Sequence, residues 1–186
     1  MTRQLGQTEV KRLNRSWRRA TQARICLLLD SVSQPFNLGS IVRTAAAFGV
    51  DQVWLSGDSA DPMHPAARKT ALGTGRLLRF ERAAGAAAAA EAVKVAGLRL
   101  VAIELADGAV PLHEAALGGD VCVALGNEDR GCSAGLLAAA DQTAYIPQIG
   151  RVGSLNVAAV AAIVLAEARR REWEDRQRDD RTDRLP

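Results

Sequence analysis

The chain has 186 residues, of which 48% are hydrophobic and 4% aromatic, and its formal net charge is +3. This length predicts one domain whose core is built mainly from Ala, Val, Leu and Ile. The longest apolar run near the C-terminus, 157–166, is about half a membrane span, and no apolar segment follows the basic N-terminus. These features argue against a membrane-spanning helix and a secretory signal, so a cytoplasmic protein is expected.

Cysteine and histidine give no support for a metal site or a disulfide framework. The three cysteines, Cys26, Cys122 and Cys132, form no C-x-x-C pair and have no histidine at a ligand spacing. His64 and His113 lie in separate predicted loops, where surface roles are expected. No metal is therefore expected.

Positive charge is concentrated at the N-terminus. Residues 1–24 hold seven Arg and Lys against Glu9 alone, whereas 167–186 hold seven arginines and seven acidic residues. Leu13 and Trp17 stand four apart, which places both on one face of a predicted helix. This basic arm either lies along RNA phosphates or packs on the domain, and a solvated, frayed terminus explains the composition equally well.

Strands and helices alternate along the rest of the chain. Apolar runs typical of strands occur at 25–29, 53–55, 77–80, 98–103, 121–125 and 144–146. Helices are predicted at 37–49, 83–96, 113–117, 135–140 and 155–173. The alternation predicts an α/β fold in which helices cover one parallel sheet.

Local signals refine these elements. Asn37, Ser133 and Ser154 are predicted N-caps, and Pro35 is expected to keep the preceding loop from becoming helical. The segment 56–74 is polar and punctuated by proline and glycine, so a surface loop is predicted there.

Three predicted loops each follow a strand and precede a helix, the position at which parallel sheets bind ligands. Their polar residues are Asn37, Ser40 and Arg43, then Asn127, Glu128 and Arg130, then Ser154 and Asn156. None of these loops contains G-x-G-x-x-G, a P-loop or a histidine, so an ordinary dinucleotide or ATP site and a Ser-His-Asp triad are not supported. The last loop, with two glycines and Pro147, is expected to bind a nucleotide-like cofactor.

The motifs in these loops resemble those of a known family. The segments NLGSIVRTAAAFG (37–49), LGNEDRG (125–131), and IPQIG (146–150) through SLNV (154–157) are similar to the three ordered motifs of the SpoU (TrmH) family. These SPOUT-superfamily enzymes methylate RNA ribose 2′-hydroxyls with S-adenosylmethionine. The resemblance covers about residues 25–170.

The resemblance implies a single-domain α/β/α sandwich with a parallel sheet and a C-terminal deep trefoil knot. It also implies a homodimer in which each site borrows from its neighbour, and either tRNA or rRNA as substrate. The corresponding division is a basic arm at 1–24, a methyltransferase domain at 25–174 and a charged tail at 175–186. A frayed tail is expected from its alternating charges.

The resemblance also assigns roles to individual residues. The expected catalytic residues are Arg43, Asn37, Glu128, Ser154 and Asn156. The expected cofactor-binding residues are Gly126, Ile146, Leu155, Asn127 and Gly150. Because a guanidinium stays protonated at neutral pH, Arg43 is expected to grip a phosphate and polarise the hydroxyl, with base action as the alternative.

The site residues also have simpler explanations. Asn37 and Ser154 are expected to act as N-caps in addition to any function. Glu128 is also compatible with a solvated loop acid, and Arg43 with a surface ion pair. Gln148 and Ala158 depart from residues common in the family, methionine and serine. The alternative function is a non-catalytic RNA-binding module that retains the fold. An oxidoreductase is disfavoured because the glycine fingerprint is missing.

Overall fold

The computed structural model describes residues 2–182, and within them seven strands form one sheet. The strands are β1 (Ile25–Asp30), β2 (Gln52–Ser56), β3 (Arg79–Arg82), β4 (Arg99–Ile103), β5 (Val110–Pro111), β6 (Val121–Leu125) and β7 (Gln142–Tyr145). Their order is β3-β2-β1-β6-β4-β7-β5, and every pairing between neighbours is parallel. The predicted parallel sheet is confirmed.

Helices cover both faces of this sheet. They are α2 (Pro35–Ala47), α3 (Pro65–Ala71), α4 (Ala86–Val95), α5 (Ala134–Ala139) and α6 (Val157–Thr182), whereas α1 (Gln7–Ala20) contributes no buried residue to the core. Alternate residues of β1 face opposite sides: Leu27 joins the core beneath α2, α3 and α6, whereas Leu28 joins the core beneath α4 and α5. The α/β/α sandwich is thus confirmed, while the knot and the division into arm, domain and tail remain predictions.

Two predicted helix starts are wrong. Helix α2 begins at Pro35 with Gln34 as N-cap, so Asn37 lies in the first turn. Proline is tolerated at the first helical position because its missing N–H would have no intrahelical partner there. Helix α6 begins at Val157, and the cap is Asn156 rather than Ser154: Asn156 Oδ1 accepts from the Ala158 amide at 2.9 Å.

The predicted loop at 56–74 contains a helix that the sequence analysis missed. Pro65 occupies the first turn of α3, and the ring nitrogen of His64 accepts from the Ala66 amide at 3.2 Å. Helices α2 and α3 approach closely at Gly39, where a Cβ atom would lie 2.4 Å from the Ala67 carbonyl oxygen. Any larger residue at Gly39 would therefore separate the two helices.

Helix α6 continues past its predicted end near Trp173 to Thr182. Residues 175–182 of the predicted frayed tail are therefore helical, and 183–186 lie outside the described residues. Within residues 2–182, no helix is long and apolar enough to cross a membrane. Among residues 2–176, whose side chains are described, no three His, Cys, Asp or Glu residues cluster as a metal site would require.

A buried ion pair fixes α6 to the rest of the molecule. Arg169 and Glu172 are 3% and 5% exposed, and their side chains meet at 2.7 Å. Arg169 also donates to the carbonyl oxygens of Phe48 (2.9 Å) and Gly49 (2.8 Å), directly after α2. Because all these groups are removed from water, each needs the others as hydrogen-bonding partners.

The same pair holds the segment between α1 and β1. Glu172 Oε1 accepts from the backbone amides of Gln22 (2.6 Å) and Ala23 (2.8 Å), and Arg169 donates to the Ala23 carbonyl at 2.9 Å. This segment is therefore anchored before β1 begins.

We expect Arg169→Met to lower the free energy of unfolding by about 3–5 kcal/mol, because it leaves the buried Glu172 carboxylate without its cation. Urea denaturation followed by circular dichroism measures the change. The matched control is Arg170→Met, the neighbouring residue, whose side chain is 47% exposed and pairs with Glu167 and Glu174. A similar loss for both variants would contradict the structural role of the buried pair.

Candidate active site

A cavity of about 600 Å³ lies at the carboxyl ends of the central strands. Its walls come from the loop after β1, the loop at 126–131 after β6, and the loop at 146–156 after β7. The end of β4 closes one side with Glu104. Loops far apart in sequence meet there because parallel strands end at the same edge of a sheet.

Glu128 is the centre of a hydrogen-bond network that joins the first two loops. Its Oε1 accepts from the side-chain amide of Asn37 at 3.0 Å and from the Gln34 backbone amide at 3.1 Å. Its Oε2 accepts from the backbone amide and hydroxyl of Ser33, at 3.2 and 3.3 Å. Both carboxylate oxygens are thus engaged by donors.

These donors determine the ionisation of Glu128. Partial burial raises the pKa of its carboxyl, but the hydrogen bonds from Asn37 and from the amides of Gln34 and Ser33 outweigh burial. The net result is a pKa below the ordinary glutamate value. Glu128 is therefore a carboxylate at neutral pH.

The network continues from Asn37 to the third loop. Asn37 Oδ1 accepts from Asn156 Nδ2 at 3.0 Å, while Asn156 Oδ1 caps α6. Because the Glu128 carboxylate can only accept hydrogen bonds, the Asn37 side chain must turn its NH₂ group toward Glu128. Asn37 Oδ1 then faces Asn156. The Glu128 carboxylate thereby fixes the orientation of the Asn37 side-chain amide and, through it, that of Asn156.

The loop after β6 is a closed hairpin. Asn127 and Gly131 exchange two backbone hydrogen bonds of 2.9 Å, and Asn127 Oδ1 accepts from the amides of Asp129 and Arg130 at 3.0 Å. Gly126 is enclosed by this hairpin, because a Cβ atom there would lie 2.2 Å from the Cys132 amide nitrogen. Only glycine fits at this position without moving the cavity wall.

Eight of the ten predicted site residues line the cavity. They are Asn37, Glu128, Ser154, Asn156, Gly126, Asn127, Ile146 and Leu155. Gly150 belongs to the third loop but does not line the cavity. Arg43 does not line it either: it is exposed on α2, about 120° around the helix axis from Asn37.

Glu104 is a cavity residue that the sequence analysis missed. Its Oε2 accepts from the Cys132 amide at 2.8 Å and its Oε1 from the Leu105 amide at 3.0 Å, which ties β4 to the loop after β6. Its position directly after a strand is the same signal that identified the other three loops. It was missed because no helix was predicted immediately after it.

Comparison with known proteins agrees with this geometry. Residues 24–166 match the model of the SpoU rRNA Methylase family. The chain is 34% identical over 145 residues to the 23S rRNA (guanosine-2'-O-)-methyltransferase RlmB of Acinetobacter baylyi, covering 77% of this chain and 58% of that protein. It is 33% identical over 153 residues to the Escherichia coli tRNA (guanosine(18)-2'-O)-methyltransferase, covering 82% and 65%.

Among solved structures, the chain is similar to an AdoMet-bound rRNA methyltransferase from Sinorhizobium meliloti, with a TM-score of 0.72 and 32% identity. The match covers 80% of this chain and 57% of that chain. The chain thus spans less than two thirds of the length of each of these three proteins. Its three motifs, its parallel sheet and the family match along most of its length show that the chain belongs to the SpoU rRNA Methylase family.

Proposed function

We propose that the protein transfers a methyl group from S-adenosylmethionine to a ribose 2′-hydroxyl of tRNA or rRNA. The observation that carries this proposal is the Glu128–Asn37–Asn156 hydrogen-bond chain, which joins three loops beside the cavity. The two curated relatives are named as 2′-O-methyltransferases, one of 23S rRNA and one of tRNA. Together they support the reaction class and leave the choice of RNA to experiment.

The cavity is suited to a cofactor of this size and chemistry. Its volume of about 600 Å³ falls within the range usual for small-molecule sites. Leu125, Ile146 and Leu155 supply an apolar lining for an adenine ring, and the backbone of the loops at 126–131 and 146–156 supplies polar groups. The similar Sinorhizobium meliloti structure is described as AdoMet-bound.

S-adenosylmethionine supplies an electrophilic methyl group on a sulfonium centre. The reaction then requires the ribose oxygen to be aligned with that methyl and its proton to be polarised or removed. We assign the phosphate grip and the polarisation of the hydroxyl to Arg43. Asn37 and Asn156 would orient the sugar or Arg43, with Ser154 supporting the loop.

Glu128 has a positioning role in this scheme rather than that of a general base. Its carboxylate accepts from Asn37 and from the amides of Gln34 and Ser33, and its lowered pKa makes it a weak proton acceptor. A base that abstracts the hydroxyl proton works best with a pKa near the working pH. The geometry instead suits Glu128 for fixing the Asn37 amide.

We also propose a homodimer in which Arg43 acts on the cavity of the partner subunit. Arg43 is exposed and does not line the cavity of its own chain, although Asn37 on the same helix does. Large apolar side chains are exposed on the adjoining helices, Phe36 on α2 at 62% and Ile163 on α6 at 40%. A symmetric interface formed by these helices would cover them and carry Arg43 across to the second site.

Arg43→Ala is expected to lower kcat/KM for methyl transfer by about 100-fold or more, because it removes a charged contact to the reacting group. Transfer of labelled methyl to total tRNA and rRNA, followed by nucleoside analysis for 2′-O-methyl products, measures the effect. Calorimetry should show unchanged affinity for S-adenosylhomocysteine. The control is Arg79→Ala on the edge strand β3, which should leave kcat/KM at the wild-type value.

Wild-type protein without transfer to any of these RNAs, and without affinity for S-adenosylhomocysteine, would favour the non-catalytic RNA-binding module.

Glu128→Gln is also expected to lose activity, because it weakens the hold on the Asn37 amide, and mixing it with Arg43→Ala tests whether Arg43 acts across the dimer. If it does, co-refolded Arg43→Ala and Glu128→Gln subunits should recover up to about a quarter of wild-type activity, because half of the dimers then contain one complete site. If Arg43 acts within its own chain, every site of the mixture carries a defect. No recovery, with dimers confirmed by light scattering, would overturn the proposed exchange.

The lowered pKa of Glu128 predicts a pH-dependent contribution to stability. Since the folded-state pKa lies below the unfolded value of about 4.3, the ionised carboxylate stabilises the fold fully above that value. The contribution is lost as the pH falls through the folded-state pKa. The difference in unfolding free energy between wild type and Glu128→Gln should therefore be constant from about pH 5.5 to 8 and shrink below about pH 4.3. A constant difference down to about pH 2 would contradict this role for the carboxylate.

A further inference from the structure

The N-terminal helix α1 separates its charges from its apolar side chains. Lys11, Arg12, Arg15, Arg18 and Arg19 are all exposed. At about 100° per residue they fall within an arc of about 120°, and they define the basic face of α1. Val10, Leu13 and Trp17 lie on the opposite side and define its apolar face.

The basic face has no internal counter-charge among the described side chains. The arm's other cations are neutralised within the protein, since Arg3 pairs with Glu9 at 2.6 Å and Arg24 with Asp120 at 2.7 Å. Within the part of the chain whose side chains are described, no carboxylate forms an ion pair with the five residues of the basic face. Among the side chains described, which end at residue 176, these five positive charges have no partner, and we infer that they are available to an external anion.

Contacts at the end of α1 hold the apolar face toward α6. The rings of Trp17 and Trp173 lie 4.5 Å apart between centroids, and Trp173 Nε1 donates to the Thr21 hydroxyl at 3.2 Å. Arg176 donates to the Ala20 carbonyl oxygen. With the following segment held by Glu172, α1 is supported on one side, and its basic face is left to solvent.

We propose that the basic face of α1 binds the phosphate backbone of the RNA substrate independently of sequence. This inference rests on the proposed RNA substrate and assigns the surface that attracts it. The body at 25–166 carries ten Lys and Arg against thirteen acidic residues, so its net charge is negative and does not attract a polyanion. A helix about 21 Å long with five free cations can contact several phosphates in succession.

Two other partners fit the helix less well. A basic amphipathic helix that binds a membrane inserts its apolar face, and here Trp17 of that face is packed on Trp173. A second copy of α1 would bring like charges together across a two-fold axis. RNA requires only the basic face, whose five side chains are all exposed, and does not require Trp17 to leave Trp173.

The salt dependence of RNA binding tests the proposal. Fluorescence anisotropy with a labelled 20-base-pair RNA duplex, and separately with total tRNA, gives the slope of log K against log salt concentration. The variant that changes Lys11, Arg12, Arg15, Arg18 and Arg19 to Gln should reduce this slope by about 3.5–4.5 if all five contact phosphates. Because α1 contains no buried residues, the variant should retain the wild-type circular dichroism spectrum.

A smaller pair of variants provides a matched control. Arg15→Gln/Arg19→Gln should reduce the slope by about 1.4–1.8, whereas Arg79→Gln/Lys94→Gln, which removes two positive charges outside the arm, should leave it nearly unchanged. An unchanged slope for the fivefold variant would overturn the proposal. The proposal would also be overturned if the fivefold variant lost binding to phosphatidylglycerol vesicles while the salt-dependence slope of its RNA binding stayed at the wild-type value.

Failure of this inference is distinguishable from failure of the proposed function. Calorimetry with S-adenosylhomocysteine on the fivefold variant should give the wild-type affinity, because α1 does not line the cavity. Absence of cofactor binding in the wild type would refute the enzymatic proposal, while the salt slopes would still decide whether α1 binds RNA.

Discussion

The buried pair of Arg169 and Glu172 is the contact on which the arrangement of α2 and α6 depends. Arg169 binds the carbonyls of Phe48 and Gly49 at the end of α2, while Asn156 binds Asn37 near its start. The two helices are therefore tied at both ends and run in the same direction. About 18 Å of rigid helix separates the two ties, so the position of the buried pair helps to determine where Asn156 meets the cavity.

The cavity itself is shaped by two carboxylates that accept hydrogen bonds from backbone amides. Glu128 joins the loop after β6 to the loop after β1, and Glu104 joins the same loop to the end of β4. Each carboxylate offsets the cost of its partial burial by accepting hydrogen bonds from several donors. The cavity wall near Gly126 is consequently held in place by hydrogen bonds within the protein. Such preorganisation favours ligand binding and catalysis.

Much of the site could be predicted because its residues follow buried strands. Continuous apolar runs gave β1 and β6, and the rule that parallel strands end at one edge then brought Asn37 and Glu128 together. Helix starts were less predictable. Asn37 and Ser154 are both reasonable caps by residue type, yet Gln34 and Asn156 occupy those positions, because a cap depends on local backbone geometry as much as on the side chain.

The sequence by itself determined the layered α/β architecture, the three polar loops and the basic N-terminal arm, because periodicity and residue type are local properties of the chain. Only the tertiary structure decided that Glu104 joins the cavity and that Arg43 does not line the cavity of its own chain. It also decided that α1 rests on α6 through Trp17 and Trp173. Each of these depends on which direction a side chain takes after distant segments have packed, and spacing along the chain does not specify that direction.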